Sequence, residues 1–301
     1  MKFVTFKNNN GLVRAGWLRD EGVVDMHSAS QGKLPDNMKD FLWDLENFLP
    51  IVNEIKDHAN PDYTLGEVQL LAPLPNPTTF RDFVSFETHM KNASARTGLP
   101  LSKEWYEIPV FYFSNPHNMR GTGAEIPRPK KSSQMDYELE LACIIGKQGS
   151  NIKASEAEDY IFGYTILNDW TARDLQAQEM KVHLGPAKGK DFATSIGPYI
   201  VTKDELEPYR VGDRFDLRMT AKINGKIISD GNFKDIYYSF AQMIERASEE
   251  VTLYPGDLIG SGTVGFGCLL EHGPEVHRWL EPGDEVELEI THLGRLTNKI
   301  I

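Results

Sequence analysis

Little in this chain points to disulfide, membrane or nucleic-acid chemistry. Only two cysteines, Cys143 and Cys268, occur in 301 residues, which excludes a disulfide framework and a thiolate zinc site. A reduced, cytoplasmic setting fits that usage. No apolar run reaches transmembrane length, and the opening Met1-Lys2-Phe3-Val4-Thr5-Phe6-Lys7 lacks the long apolar stretch of a signal peptide. There is no basic excess. Lys and Arg number 32 against 44 Asp and Glu, a formal net charge of -12, which argues against nucleic acid or an acidic membrane surface as partner. Repeats and low-complexity segments are also missing. The remainder is ordinary globular composition, 40% hydrophobic and 25% charged, in a length that suits one or two domains.

Residues 1–72 read as a small N-terminal α/β module. Strand patterns lie near Lys2–Lys7, Leu12–Leu18 and Val23–Met26, with Asn8-Asn9-Asn10-Gly11 as the first turn. Phe41, Leu42, Leu45, Phe48 and Leu49 predict a helix over Asp36–Leu49, broken or kinked at Pro50 and resumed over Ile51–His58. The proline-rich Ala72-Pro73-Leu74-Pro75-Asn76-Pro77 marks the boundary. Residues 73–301 form the second domain and are strand-rich. Ser155 and Glu158 suggest a capping box, Asn224-Gly225 a hairpin turn, and Phe240, Met243, Ile244 and Ala247 an amphipathic helix. Pro-Gly-Asp turns precede strands Leu258–Gly260 and Glu285–Ile290. The mixture predicts an α+β fold rather than an alternating doubly wound sheet.

The feature with most chemistry is Met135-Asp136-Tyr137-Glu138-Leu139-Glu140-Leu141-Ala142-Cys143-Ile144-Ile145. Alternate strand residues share a face, so Glu138 and Glu140 point the same way as Ala142 and Ile144. Two carboxylates thus stand on a face that turns apolar. Ionised carboxylates are costly to bury without a cation or protons, and a divalent metal is one way to stabilise them. An exposed strand edge with alternating glutamates is the plain alternative.

Other motifs are weaker alone. Asp169, Arg173 and Gln176 are spaced four and three apart, as on one helix face, and a capped helix explains them equally well. Asp82 and His89 offer a carboxylate and an imidazole seven residues apart, against a plain solvated helix face. Lys190 follows a glycine-rich stretch that lacks phosphate-loop spacing. Gly260-Ser261-Gly262-Thr263-Val264-Gly265 matches a dinucleotide fingerprint by letter, but the next stretch, Phe266-Gly267-Cys268-Leu269-Leu270-Glu271-His272-Gly273-Pro274, is too broken for the required helix. A glycine turn that lets Thr263 approach a ligand is the better reading. Cys143 reads as a small core residue.

Taken in order, Asp136-Tyr137-Glu138-Leu139-Glu140-Leu141, Asn168-Asp169-Trp170-Thr171-Ala172-Arg173-Asp174-Leu175-Gln176, Gly189-Lys190-Asp191-Phe192 and Gly260-Ser261-Gly262-Thr263 resemble the fumarylacetoacetate hydrolase family over residues 75–301. The resemblance implies a β-rich mixed-sheet roll, a homodimer and a divalent cation, Mg²⁺, Mn²⁺ or Ca²⁺. It implies Glu138, Glu140, Asp169 and Asp82 as metal carboxylates, and His89, oriented by Glu271, as the base that activates water. Arg173, Gln176 and Lys190 match groups that offset developing negative charge, Thr263 matches a substrate contact, and Tyr112 supplies an aromatic wall. The implied reaction is hydrolysis of a C–C bond in a small dicarbonyl acid. The alternative on the same metal site is oxaloacetate decarboxylation, or isomerisation or hydration of a 2-oxo acid. Val84 departs from the pattern, standing where the fumarylacetoacetase branch has a substrate-facing tyrosine, so the substrate is expected to differ from fumarylacetoacetate.

Overall fold

The strand Leu139–Ile145 organises the molecule because it is buried along its whole length. Its odd-numbered side chains, Leu139, Leu141, Cys143 and Ile145, enter one apolar core. Its even-numbered Ala142 and Ile144 enter a second core on the opposite face. Neighbours follow the same rule: Ile166 lies in the first core and Leu167 in the second.

The computed structural model describes residues 1–301 as a sheet-dominated mixed α/β fold. Its large sheet is an open path of ten strands with two more on side branches. It runs from Tyr63–Thr64 through Gly22–Asp25, Val13–Arg19 and Lys2–Asn8 to Thr194–Thr202, then Ile161–Asn168, Leu139–Ile145, Leu258–Gly260, Phe80–Phe83 and Phe111–Phe113. A five-stranded sheet, centred on Arg218–Ile223 and Glu285–Ile290, packs with the helix Phe240–Ser248 over the first core. The helices Met38–Trp43 and Leu45–Ile55 cover the second, where Phe3 and Phe41 meet Phe162. The N-terminal strands belong to the same sheet as the later ones, since Lys2 and Phe3 pair with Val201 and Ile200.

The expected α+β, β-rich architecture holds, as do the three N-terminal strands and the Asn224-Gly225 hairpin. That hairpin needs positive φ at both turn residues, and they adopt 50° and 81°. Three local expectations are corrected. The helix over Asp36–Leu49 is interrupted at Asp44, whose ψ of 47° and side-chain bond with Asn47 Nδ2 break the ladder. Pro50 instead lies inside the second helix. The Ser155–Glu158 capping box does not form: Lys153 caps a 3₁₀ turn over Ala154–Tyr160, and Arg210 takes the Glu158 carboxylate at 2.8 Å. Asp169 does not share a helix face with Arg173 and Gln176, because the helix begins at Arg173 and Asp169 sits just past the strand Ile161–Asn168.

Candidate active site

The second apolar face becomes acidic at one end. Going along it, Phe80 gives way to Asp82, Ile144 and Ala142 to Glu140 and then Glu138, and Leu167 to Asp169. The strands concerned lie side by side, and Gly260 pairs with both Ala142 and Asp82. Gly260 has no side chain because none fits. A Cβ there would lie 2.3 Å from Asp82 Oδ1 and 3.1 Å from Glu140 Oε2.

All four carboxyls are buried. Asp82, Glu140 and Asp169 share one pattern, with one oxygen held by the protein and the other bare. Asp82 Oδ2 lies 3.3 Å from the Tyr112 hydroxyl, and Glu140 Oε2 accepts from the Gly262 N–H at 3.0 Å. Asp169 Oδ2 accepts from Tyr112 and lies 2.6 Å from Lys190 Nζ. Asp82 Oδ1, Glu140 Oε1 and Asp169 Oδ1 have no partner. Glu138 differs, because Arg173 Nη2 lies 2.8 Å from Oε1 and Lys190 Nζ contacts Oε2.

Electrostatics follow the contacts. Burial, reinforced by the neighbouring Asp169 charge, pushes the Asp82 carboxyl well above its ordinary range. Burial and then Asp82 do the same to Glu140. Asp169 is also raised by burial, against the pull of Lys190. For Glu138 burial works upward too, but Lys190 and Arg173 outweigh it and hold the group at about 2. Including Asp136, five buried carboxyls face two buried cations, Arg173 and Lys190. Bare, buried oxygens on three adjacent carboxyls, with negative charge in excess, are the donor set a hard divalent cation requires. Asp82, Glu140 and Asp169 fit such an ion, whereas both oxygens of Glu138 are engaged by Arg173 and Lys190.

Beside this cluster is a histidine–carboxylate pair. His89, on the helix Glu87–Thr97, directs Nδ1 to Glu271 Oε1 at 2.8 Å. Glu271 also accepts from Asn92 Nδ2 at 2.9 Å, Phe266 N at 2.7 Å and Gly267 N at 3.1 Å. Burial alone would raise Glu271; His89 and these donors lower it. A carboxylate is an acceptor, so Nδ1 carries a proton, and in the neutral imidazole the acceptor is Nε2. The ligand atoms of His89, Cys268 and Glu271 also lie within 4.8 Å of one another. As a metal site that trio is poor, because Glu271 is already saturated with donors and burial raises the Cys268 thiol, keeping it protonated.

Arg173 is fixed from behind. Its Nε donates to Asp136 Oδ2 at 2.8 Å and its Nη1 to Gln176 Oε1 at 3.1 Å. Asp136 in turn accepts from Leu269 N at 2.7 Å and Leu270 N at 3.0 Å, at the start of the short helix that carries Glu271. Gly189 lets the Lys190 loop pass against Gln176, whose backbone N would lie 2.8 Å from a Cβ there. Thr263 is buried one residue past Gly262, on the same loop. Asp136 and Asn92, which hold Arg173 and Glu271, are further residues of the site. Both carried a signal: Asp136 extends the alternation of Glu138 and Glu140, and Asn92 lies one helical turn from His89.

A sheet end lined by buried acids beside a histidine–carboxylate pair has the donor set and the proton-transfer group that a metal-assisted enzyme centre requires. The chain belongs to the fumarylacetoacetate hydrolase family, whose model for the fumarylacetoacetate (FAA) hydrolase C-terminal domain matches residues 78–301. Oxaloacetate tautomerase YisK of Bacillus subtilis (strain 168) is 29% identical over 318 residues, covering 100% of both chains. The mitochondrial oxaloacetate tautomerase FAHD2A of Homo sapiens is 31% identical, over 93% of this chain and 84% of that one. The solved fumarylacetoacetate hydrolase (EaFAH) from psychrophilic Exiguobacterium antarcticum superposes with a TM-score of 0.76 at 27% identity, covering 100% and 99%. No helix of this chain is long and apolar enough to cross a membrane.

Proposed function

We propose that this protein is a divalent-cation-dependent hydrolase that cleaves a C–C bond in a small 1,3-dicarbonyl acid of the acylpyruvate class. The observation that carries the reading is the set of bare oxygens on Asp82, Glu140 and Asp169 next to the His89–Glu271 pair. A cation held by those carboxylates would supply Lewis acidity toward the substrate's 2-oxo acid oxygens and stabilise an enolate.

The protein's own groups do the rest. His89 Nε2 takes a proton from water, while Glu271 holds the imidazole in the required tautomer and stabilises its charged form. The water oxygen bonds to the acyl carbonyl carbon. Lys190, Arg173 and Gln176 offset the negative charge that develops on the substrate. The bond between the acyl carbon and the central CH₂ breaks, and its electron pair passes to that carbon and onto the 2-oxo oxygen. The carbon then recovers a proton from His89. One water is consumed, and the products are a carboxylic acid and pyruvate.

A second reading is favoured by the tautomerases among the relatives. His89 would shuttle a proton between C3 and the 2-oxo oxygen of oxaloacetate, with no water attack and no bond cleavage. One panel separates the readings: acylpyruvates and oxaloacetate, each with Mg²⁺ or Mn²⁺ and again with chelator. Release of pyruvate from acylpyruvates, abolished by chelator, is expected. Enol–keto interconversion of oxaloacetate without any acylpyruvate cleavage would transfer the assignment to the tautomerase. Undiminished activity in chelator would remove the metal from both. His89→Ala should lower turnover by ~10²–10⁴-fold while Mn²⁺ affinity, read by calorimetry, stays within about twofold.

A further inference from the structure

Beyond the acid cluster, an apolar cavity of about 400 Å³ lies between the helix Glu87–Thr97 and the segment that follows it. Its wall includes Val84, Met90, Leu99, Leu101, Trp105 and Val110. Resting on the function proposed above, we propose that this cavity is the subsite for the substrate's acyl tail, and that the tail is uncharged and apolar: a straight alkyl chain of several carbons or an aromatic ring.

Position supports this. Asp82 pairs with Tyr112, and the ladder continues one step past the strand ends, where Val84 N–H donates to Val110 O at 3.3 Å. Val84 and Val110 are therefore two residues from Asp82 and Tyr112 on the same sheet face, ~7 Å along the strand. That is about the reach of the pyruvyl head, so a head group at the acids projects its tail between the two valines. The helix contributes in the same way. His89 turns toward Glu271, and the adjacent Met90, ~100° around the axis, turns toward the cavity.

The chemistry of the wall selects the tail. The Trp105 indole N–H is committed to Val84 O at 2.7 Å. The Ser94 hydroxyl is bonded to Leu99 O at 2.6 Å and that of Thr97 to Ala93 O at 2.8 Å. No lysine, arginine or histidine lines the cavity, and its one charged residue is Glu104. A second carboxylate, such as oxaloacetate or a fumaryl tail carries, would meet no cation and one like charge. An alkyl or aryl group loses nothing there and gains by burial.

The test uses acetyl-, butanoyl- and hexanoylpyruvate with the Mn²⁺-loaded full chain, and Val110→Phe to shorten the cavity. We expect kcat/KM to rise about fourfold per added methylene, and the loss caused by Val110→Phe to grow with tail length, from smallest on acetylpyruvate to largest on hexanoylpyruvate. A flat profile, or an equal loss on all three substrates, overturns the subsite and leaves the hydrolase reading intact. If no acylpyruvate is cleaved, the hydrolase reading fails by itself. The subsite is then judged by binding, with 2-oxobutanoate and 2-oxooctanoate as probes in thermal shift. A larger shift for the longer probe, lost in Val110→Phe, supports it; equal shifts overturn it.

Discussion

A methyl group at position 260 has no room unless Asp82 moves. The Cβ of Gly260→Ala would lie 2.3 Å from Asp82 Oδ1, 3.0 Å from its Cγ and 3.1 Å from Glu140 Oε2. The clash involves the ends of two side chains and no backbone, so the fold can accommodate it. Overpacking costs ~1–3 kcal/mol, and removing glycine from a strand returns ~0.5–1 kcal/mol. The net loss is ~0–2.5 kcal/mol, a fall of at most about 4 °C in Tm for a chain of 301 residues. The site is less tolerant. Restoring ordinary contact displaces the Asp82 carboxyl by roughly the ~0.5 Å within which such geometry must be held, or more. Mn²⁺ affinity should therefore fall by ~10–100-fold, or ~1.4–2.8 kcal/mol, with turnover falling in parallel at subsaturating metal. Calorimetric titration of the metal-free protein with Mn²⁺, beside a thermal melt, measures both quantities. Wild-type Mn²⁺ affinity in a folded Gly260→Ala variant would refute the assignment of Asp82 and Glu140 as ligands.

Two further substitutions test the framework behind the site. Asp136→Asn replaces a buried acceptor of four donors, Arg173 Nε and the backbone N–H groups of Tyr137, Leu269 and Leu270. It should lower unfolding stability by ~3–5 kcal/mol and reduce kcat by displacing Arg173; an unfolding free energy from denaturant titration within about 1 kcal/mol of wild type would contradict it. Asp284 is bound by Arg278, Asn224 and the Glu281 N–H, which overcome its burial and hold it at about 2. A depressed carboxyl stabilises the fold above its unfolded pKa and loses that contribution as pH falls through the folded value. Asp284→Asn should thus cost ~1–2 kcal/mol at neutral pH and almost nothing near pH 2, in paired melts at the two pH values.

How much of this was legible in the sequence depended on whether the signal was periodic. The alternation of Glu138 and Glu140 with Ala142 and Ile144 identified one strand face correctly, because a strand buried on both sides keeps strict period two. Four-residue spacing from Asp169 to Arg173 suits a helix, yet the residues between them include a short strand, Thr171–Ala172, paired with Met135–Asp136. Spacing alone cannot locate a junction between elements. The helix break at Asp44 was assigned to Pro50 for a related reason: proline is visible in a sequence, whereas the side-chain bond between Asp44 and Asn47 depends on three-dimensional context. His89 and Glu271 were joined by family resemblance, and nothing local links residues so far apart. The bare oxygens of Asp82, Glu140 and Asp169 are a property of packing, which no pattern of letters records.

The separation of His89 from Glu271 has a consequence for how the protein comes to life. Their contact spans 182 positions of chain, and the acid row draws on strands beginning at Phe80, Leu139, Ile161 and Leu258. Contacts this distant form slowly, since the entropy of closing long loops must be overcome before they stabilise anything. Formation of the site is accordingly expected late in folding. In refolding, capture of Mn²⁺ should lag behind the appearance of secondary structure and report completion of the sheet. A chain still being synthesised would remain inert until Glu271 had been made.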